Sequence, residues 1–285
     1  MNEQLEQLKK IYKNVPIPGE LDFVVKKALR QKKQRHLMIK RLVGIGAAAI
    51  VLVAGINTSP TFAKALSEVP IVGPVMKVLT FKEFKLDDGM ANADIKVPAI
   101  TNMDNKALEA ALNNKYLEEN KKLYNDFTAE MDKLKQNGGG HLGVNSGYVV
   151  KTDNEQILAV GRYVVNTVGS SSTTFKYDTI DKKNQILITL PSLFKDDRYI
   201  SLISENIKEQ MKQQMKADPN KVYWLEGNGG FEAIAKDQSF YINNEGKLVI
   251  SFNKYEVAPG AMGVLEFIIP TNVIADALVS KEYIK

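Results

Sequence analysis

The hydrophobic pattern divides the chain into three parts. Residues 42–63 carry one uninterrupted stretch without a charged side chain, and the first 15 of them are all apolar or glycine. A helix over the whole stretch is about 33 Å long, which is enough to cross a hydrocarbon core of about 30 Å. The pattern therefore predicts a single transmembrane helix at 42–63, preceded by a head of residues 1–41 and followed by a tail of residues 66–285.

The tail alternates between strand-like and helix-like patterns. Two long amphipathic runs predict helices at 104–136, capped by Asp104, and at 196–216, and a weaker run predicts a short helix at 272–279. Alternating or β-branched runs predict strands at 81–86, 94–100, 141–152, 156–168, 173–180, 185–190, 239–242, 247–252 and 263–269, with a serine-rich loop at 169–172. This order favours an α+β domain in which two long helices pack on an antiparallel sheet.

The head contains two short helical patterns separated by a proline-rich segment. The apolar face of the second helix consists of Leu21, Val24, Val25, Ala28 and Leu29. Two such helices are too short to form a stable core by themselves, so this face needs a partner. The pattern leaves two alternatives open: a helix on the membrane surface, or a segment that binds a protein.

The charge distribution orients the predicted span. Residues 1–41 carry eleven Lys and Arg against four acidic residues, whereas residues 42–285 sum to −2. Because Lys and Arg accumulate on the cytoplasmic side of a span, the head is predicted to be cytoplasmic and the tail extracellular. The same topology explains the basic cluster, which therefore gives no reason to expect a nucleic-acid partner.

The far end of the apolar stretch has the form of a signal-peptidase site. Ala63 and Ala65 give the small-x-small pattern just beyond an apolar run, so cleavage is predicted between Ala65 and Leu66. A plain signal peptide is a poor alternative, because its charged region is short and this head has 41 residues. A stable anchor that carries the triplet by chance is the other alternative.

The tail offers no constellation of catalytic residues. The chain has no cysteine and two histidines, of which only His141 lies beyond the span. A nucleophilic triad would rest on that one residue, and a metal site would lack His and Cys ligands. We therefore expect no enzymatic activity, no metal and no cofactor, and we expect the tail to act by binding.

Several motifs along the chain resemble those of the RsiV-type anti-sigma factors of Gram-positive bacteria. They are PIPGELD at 16–22, AKA at 63–65, VPIVG at 69–73, NIKEQMK at 206–212, DPN at 218–220 and YEVAPG at 255–260. The resemblance implies that the head holds an extracytoplasmic-function sigma factor inactive at the cell membrane. It also implies that the tail binds lysozyme, that signal peptidase then cuts after Ala65, and that a site-two intramembrane metalloprotease cuts the span and frees the sigma factor.

One position departs from the family pattern, in which a tyrosine follows the Pro-Gly of the last motif, whereas this chain has Ala261. The predicted ligand-binding residues lie in two loops: Gly169, Ser170 and Ser171, and Pro259, Gly260, Ala261 and Met262. Ordinary hairpin connections are the alternative interpretation of both. Residues 66–285 sum to −3, which suits a basic ligand such as lysozyme. A signal-anchored sensor of another ligand related to the cell wall is the alternative function.

Overall fold

The computed structural model describes residues 76–285, with the exception of Glu226 and Asn228. The predictions for the head, for the span at 42–63 and for the cleavage residues Ala63, Ala65 and Leu66 fall outside this part of the chain. Among the residues that the structure describes, no helix is both long enough and apolar enough to cross a membrane.

The first half of the described chain forms a six-stranded sheet and one long helix. Its elements are β1 (Lys77–Asp87), β2 (Ala91–Thr101), α1 (Lys106–Gln136), β3 (Leu142–Asp153), β4 (Ile157–Val168), β5 (Ser170–Asp181) and β6 (Ile186–Ile188). The strands lie side by side in chain order. Strands β2 and β3 pair in parallel from Ala91 with Leu142 to Ile95 with Ser146, whereas the other pairs are antiparallel. The prediction of a purely antiparallel sheet is therefore wrong, because α1 serves as the crossover that a parallel pair requires.

Helix α1 covers one face of this sheet. Its N-cap is Asn105, whose side-chain oxygen accepts a hydrogen bond of 3.2 Å from the backbone N–H of Leu108. The predicted cap, Asp104, is one residue too early to reach this third helical position. The buried Asn113 bonds both backbone groups of Ile100, at 2.7 Å and 2.8 Å, in the part of β2 that lies beyond its pairing with β3. The Asn113 side chain thus supplies hydrogen bonds to backbone groups of β2 where β3 no longer pairs with it.

The second half forms a separate three-stranded antiparallel sheet, so the prediction of one sheet is also wrong. Its elements are a 3₁₀ helix (Leu190–Leu193), α2 (Arg198–Ala217), β7 (Phe240–Ile242), β8 (Leu248–Phe252), a second 3₁₀ helix (Gly260–Met262), β9 (Leu265–Ile269) and α3 (Thr271–Ile274). The predicted hairpin of β7 and β8 is confirmed. Helix α3 is shorter than the predicted 272–279, because the carbonyl of Ala277 accepts from the N–H of Lys195 and the N–H of Val279 donates to the carbonyl of Leu193 instead of continuing the helix.

Three hydrophobic clusters stabilise these elements. The largest lies between α2, the three-stranded sheet and one end of the six-stranded sheet, where Phe252 contacts Phe231 and Phe267 edge to face. A second joins α1 to the six-stranded sheet and includes Met76, Tyr116, Val160 and Ile180, and a third lies under the other end of α1. Residues between 76 and 285 form all three clusters, so this part of the chain supplies extensive hydrophobic cores.

Candidate ligand-binding surface

The predicted serine-rich loop is part of a strand. Strand β5 begins at Ser170, which pairs with Val168 of β4, so Gly169 alone forms the connection. Gly169 has a φ of 71°, a left-handed conformation that glycine adopts without strain. The prediction of a loop at 169–172 is wrong because twelve consecutive pairs with β4 carry the serines into the sheet despite their low strand propensity. Gly169 and Ser170 are exposed, and Ser171 is half-buried.

The other predicted residues lie between β8 and β9, in a segment from 253 to 264 that we call the β8–β9 connection. Pro259 precedes the short 3₁₀ helix, in which the N–H of Met262 bonds the carbonyl of Pro259 at 2.9 Å. Ala261 is exposed, whereas Pro259, Gly260 and Met262 are half-buried. The helix therefore presents Ala261 to solvent.

Lys254 brings the start of β5 and the β8–β9 connection together. Its backbone N–H donates to the carbonyl of Thr173 at 3.0 Å, and its Nζ donates to Ser171 Oγ at 2.9 Å. The neighbouring Asn253 accepts a hydrogen bond of 2.7 Å from the N–H of Phe175. The two predicted segments thus belong to one surface, which we call the hairpin surface, defined by Ser171, Lys254, Tyr255, Gly260 and Ala261.

Two residues of this surface were missed by sequence reasoning. Lys254 links the segments, and Tyr255 is 46% exposed with its ring directly beside Gly260. The Lys254 ammonium lies 5.1 Å from the centre of that ring, within reach of a cation–π contact. Tyr255 begins the YEVAPG motif, which is the one signal that could have found it.

A groove of about 450 Å³ adjoins the hairpin surface. It lies between the end of α2 and the β8–β9 connection, and its lining includes Gln214, Asp218, Tyr223, Ala261 and Met262. Trp224, exposed beside it, donates its backbone N–H to the carbonyl of Val257 at 2.9 Å. Exposed aromatic side chains next to a recess are typical of protein-binding surfaces.

A carboxylate fixes the two sheets to each other below this surface. Glu266 of β9 accepts hydrogen bonds from Lys151 Nζ at 2.6 Å, Tyr177 Oη at 3.0 Å and Tyr241 Oη at 2.9 Å. Burial alone would raise the pKa of Glu266, but the bonds from Lys151 and Tyr241 hold this pKa below its ordinary value. Burial raises the pKa of both tyrosines, so they remain neutral donors at pH 7. The carboxylate is therefore ionised, and its bonds keep β9 in place against β5.

The hairpin surface carries side chains that can contact a partner. Within residues 76–285, no three side chains of His, Cys, Asp or Glu lie close enough to hold a metal ion. His141 is exposed just before β3. What the hairpin surface presents is an aromatic ring, an ammonium group and hydroxyls, which can bind a partner by apolar contact and hydrogen bonds.

Comparisons with known proteins place the chain in a family. It is 50% identical over 289 residues to the anti-sigma-V factor RsiV of Bacillus subtilis (strain 168), with 100% of both chains covered. Residues 191–272 match a family described as "Protein of unknown function (DUF3298)", and this range contains α2, the three-stranded sheet and the β8–β9 connection.

Two crystal structures of that second family are also similar. The one from Bacteroides fragilis has a TM-score of 0.54 and 16% identity, and the match covers 73% of this chain and 95% of that one. The one from Pseudomonas aeruginosa has a TM-score of 0.45 and 8% identity over the same shares. The first shows a common fold, while the full-length identity to RsiV shows the family: the chain belongs to the RsiV-type anti-sigma factors.

Proposed function

We propose that the chain is a membrane-anchored anti-sigma factor that holds an extracytoplasmic-function sigma factor inactive and releases it when lysozyme binds outside the cell. The observation that carries the proposal is the 50% identity to the anti-sigma-V factor RsiV along the whole chain. The basic head and the apolar stretch at 42–63 are consistent with it, since they predict an inhibitor segment inside and a receptor outside.

The hairpin surface is the proposed contact with lysozyme. It combines an exposed aromatic ring at Tyr255, polar groups at Ser171 and Lys254, and an adjoining groove. Aromatic anchors surrounded by polar groups are the usual composition of a protein-binding hot spot. The net charge of −3 on residues 66–285 favours encounter with a basic protein.

Ligand binding is proposed to control cleavage through the segment that joins the predicted cleavage site to the first described residue, Met76. Ten residues, 66–75, separate the predicted bond after Ala65 from Met76, which is buried in the cluster shared with β4 and β5. Those strands carry the hairpin surface at their other end, so one pair of hydrogen-bonded strands joins the two places.

The energy that this control needs can be bounded. To change the exposed fraction of the bond from about 1% to about 99%, lysozyme must prefer the exposed state by about 5.5 kcal/mol. Signal peptidase then cuts after Ala65, and a site-two intramembrane metalloprotease cuts within 42–63 and frees the sigma factor.

The test is calorimetric titration of lysozyme into a purified fragment of residues 66–285, which contains all three cores. We expect saturable one-to-one binding, and no binding of an unrelated basic protein of similar size and charge. If lysozyme does not bind and soluble cell-wall fragments do, the receptor assignment is wrong and the alternative ligand class is correct.

A further inference from the structure

We propose that Tyr255 is the principal aromatic anchor of the hairpin surface and that Gly260 sets its ring in place before the ligand arrives. This inference rests on the proposed function, because the ligand considered is lysozyme. The argument uses the backbone at Tyr255, the contacts that hold it there and the space above Gly260.

Tyr255 occupies a turn position that rarely takes a large side chain. The N–H of Glu256 donates to the carbonyl of Asn253 at 3.0 Å, which closes a four-residue turn with Tyr255 in its third position. Tyr255 has a φ of 71° there. Glycine or asparagine is the usual choice for that conformation, and a bulky residue in it is an outlier. Such strained residues concentrate at functional sites.

The backbone of the turn is held by groups other than the tyrosine side chain. The Glu256 carboxylate accepts from the N–H of Asn253 at 2.7 Å and from Gln238 Nε2 at 3.0 Å. The N–H of Lys254 bonds the carbonyl of Thr173 on β5 at 3.0 Å. None of these contacts uses the side chain of residue 255. The large aromatic ring is therefore not required to form the turn, and a role in binding accounts for it.

Gly260 fixes the direction of the ring. A Cβ atom at this position would overlap ring carbons and the hydroxyl of Tyr255, so only glycine leaves room for the ring where it lies. The ring rests against the backbone of the β8–β9 connection at Gly260, while Tyr255 as a whole remains 46% exposed. An aromatic side chain that is ordered before binding loses little conformational entropy in the complex, which is a property of strong anchors.

The neighbours of the ring complete an anchor site. Lys254 Nζ lies over the ring, 5.1 Å from its centre, and bonds Ser171, so a hydrogen-bond donor accompanies the aromatic surface. Ala261, next to Gly260, is exposed and small. With alanine at this position, Tyr255 is the exposed aromatic side chain of the β8–β9 connection, and we infer that it enters a recess on lysozyme.

The test measures lysozyme binding to the full-length chain in lipid nanodiscs by biolayer interferometry. Tyr255→Gly is the central variant, because glycine suits a φ of 71° and keeps the turn. We expect an unfolding temperature equal to or above that of the wild type, together with a dissociation constant raised at least about 30-fold. Tyr255→Phe should stay within a few-fold of the wild type. Ile186→Ala, on β6 where it pairs with the far end of β5, is equally exposed, serves as the control and should bind normally.

A second variant tests the role of Gly260. Gly260→Ala displaces the ring, so it should weaken binding although Tyr255 is still present. In the Tyr255→Gly background the same change should have no further effect, because the residue it acts through is gone. If the wild type binds and Tyr255→Gly binds within about threefold of it, the anchor assignment is overturned while the proposed function stands. If the wild type itself does not bind lysozyme, the proposed function fails and this inference fails with it.

Discussion

The buried charges between α1 and the six-stranded sheet allow a prediction of stability with a definite magnitude. Arg162 of β4 is 8% exposed, and its Nε lies 3.1 Å from Oδ2 of Asp178, a β5 side chain that is 3% exposed. The Arg162 guanidinium also pairs with Glu119 of α1, and Lys115 of α1 lies 2.9 Å from Oδ1 of Asp178. The change that we consider is Asp178→Leu, which leaves the buried guanidinium without its buried partner.

The free energy of unfolding that Asp178→Leu is expected to lose depends on which ion pairs of Arg162 remain. Removing one member of a buried ion pair costs about 3–5 kcal/mol, because the other charge is left uncompensated. Arg162 keeps Glu119, which is 35% exposed and therefore partly hydrated, so we expect a loss near the lower end, about 3 kcal/mol. The double change Arg162→Met with Asp178→Leu removes both buried charges of this pair. We expect it to cost about 1–3 kcal/mol less than the sum of the single changes.

The assay is guanidinium unfolding of the 66–285 fragment at pH 7, followed by circular dichroism. The matched control is Asp126→Leu on α1, which removes an exposed pair with Lys122 and should cost at most about 0.5 kcal/mol. If Asp178→Leu costs less than about 1 kcal/mol, or if the double variant loses as much as the two single variants together, the account of this network is wrong.

Four further predictions concern acid, the core, cleavage and the head. Burial alone would raise the pKa of Asp178, but Arg162 and Lys115 hold it below its ordinary value. The contribution of Asp178 to the free energy of unfolding is therefore complete above the pKa of an unfolded aspartate, about 3.9, and is lost as the pH falls through the lower pKa of the folded state. In Asp178→Leu, the free energy of unfolding should therefore fall less steeply with decreasing pH in this acid range. Phe252→Ala should cost about 3–5 kcal/mol in the same unfolding assay, because the ring is fully buried. Ala63→Phe should abolish cleavage after residue 65, seen by immunoblot, and leave lysozyme binding intact; continued cleavage at that bond would exclude the assigned site. Leu21→Asp should activate a sigma-dependent reporter without lysozyme, and an unchanged reporter would exclude the assigned face of the second head helix.

Local patterns predicted the elements well where a single periodicity decides the outcome. The predicted start of helix α2 lies within two residues of the observed one. Its apolar positions recur at helical spacing, and these side chains pack in the largest hydrophobic cluster. The parallel pairing of β2 with β3 was missed, because strand pairing depends on contacts across α1 that no local pattern encodes. The buried Asn113 was missed for a similar reason, since its partner Ile100 belongs to another element.

The candidate surface was predicted only in part. Ser171 and the segment 259–262 were identified from the sequence, and the structure connects both to one surface through Lys254 and Tyr255. The role of Lys254 depends on Thr173 and Ser171, which are distant in sequence. The position of Tyr255 depends on a left-handed backbone conformation, which a tyrosine in the sequence does not predict. The first property arises from tertiary hydrogen bonds, and the second from a local turn between Asn253 and Glu256 that bonds to Thr173 and Gln238 hold in place.

The most direct test of the central claim is to determine the amino terminus of the fragment shed by living cells with and without added lysozyme. Mass spectrometry of the culture medium should find a fragment that starts at Leu66, appears within minutes of lysozyme addition and is absent from untreated cells. A fragment with another amino terminus, or the same amount of the Leu66 fragment without lysozyme, would contradict the proposal that ligand binding outside licenses this cut.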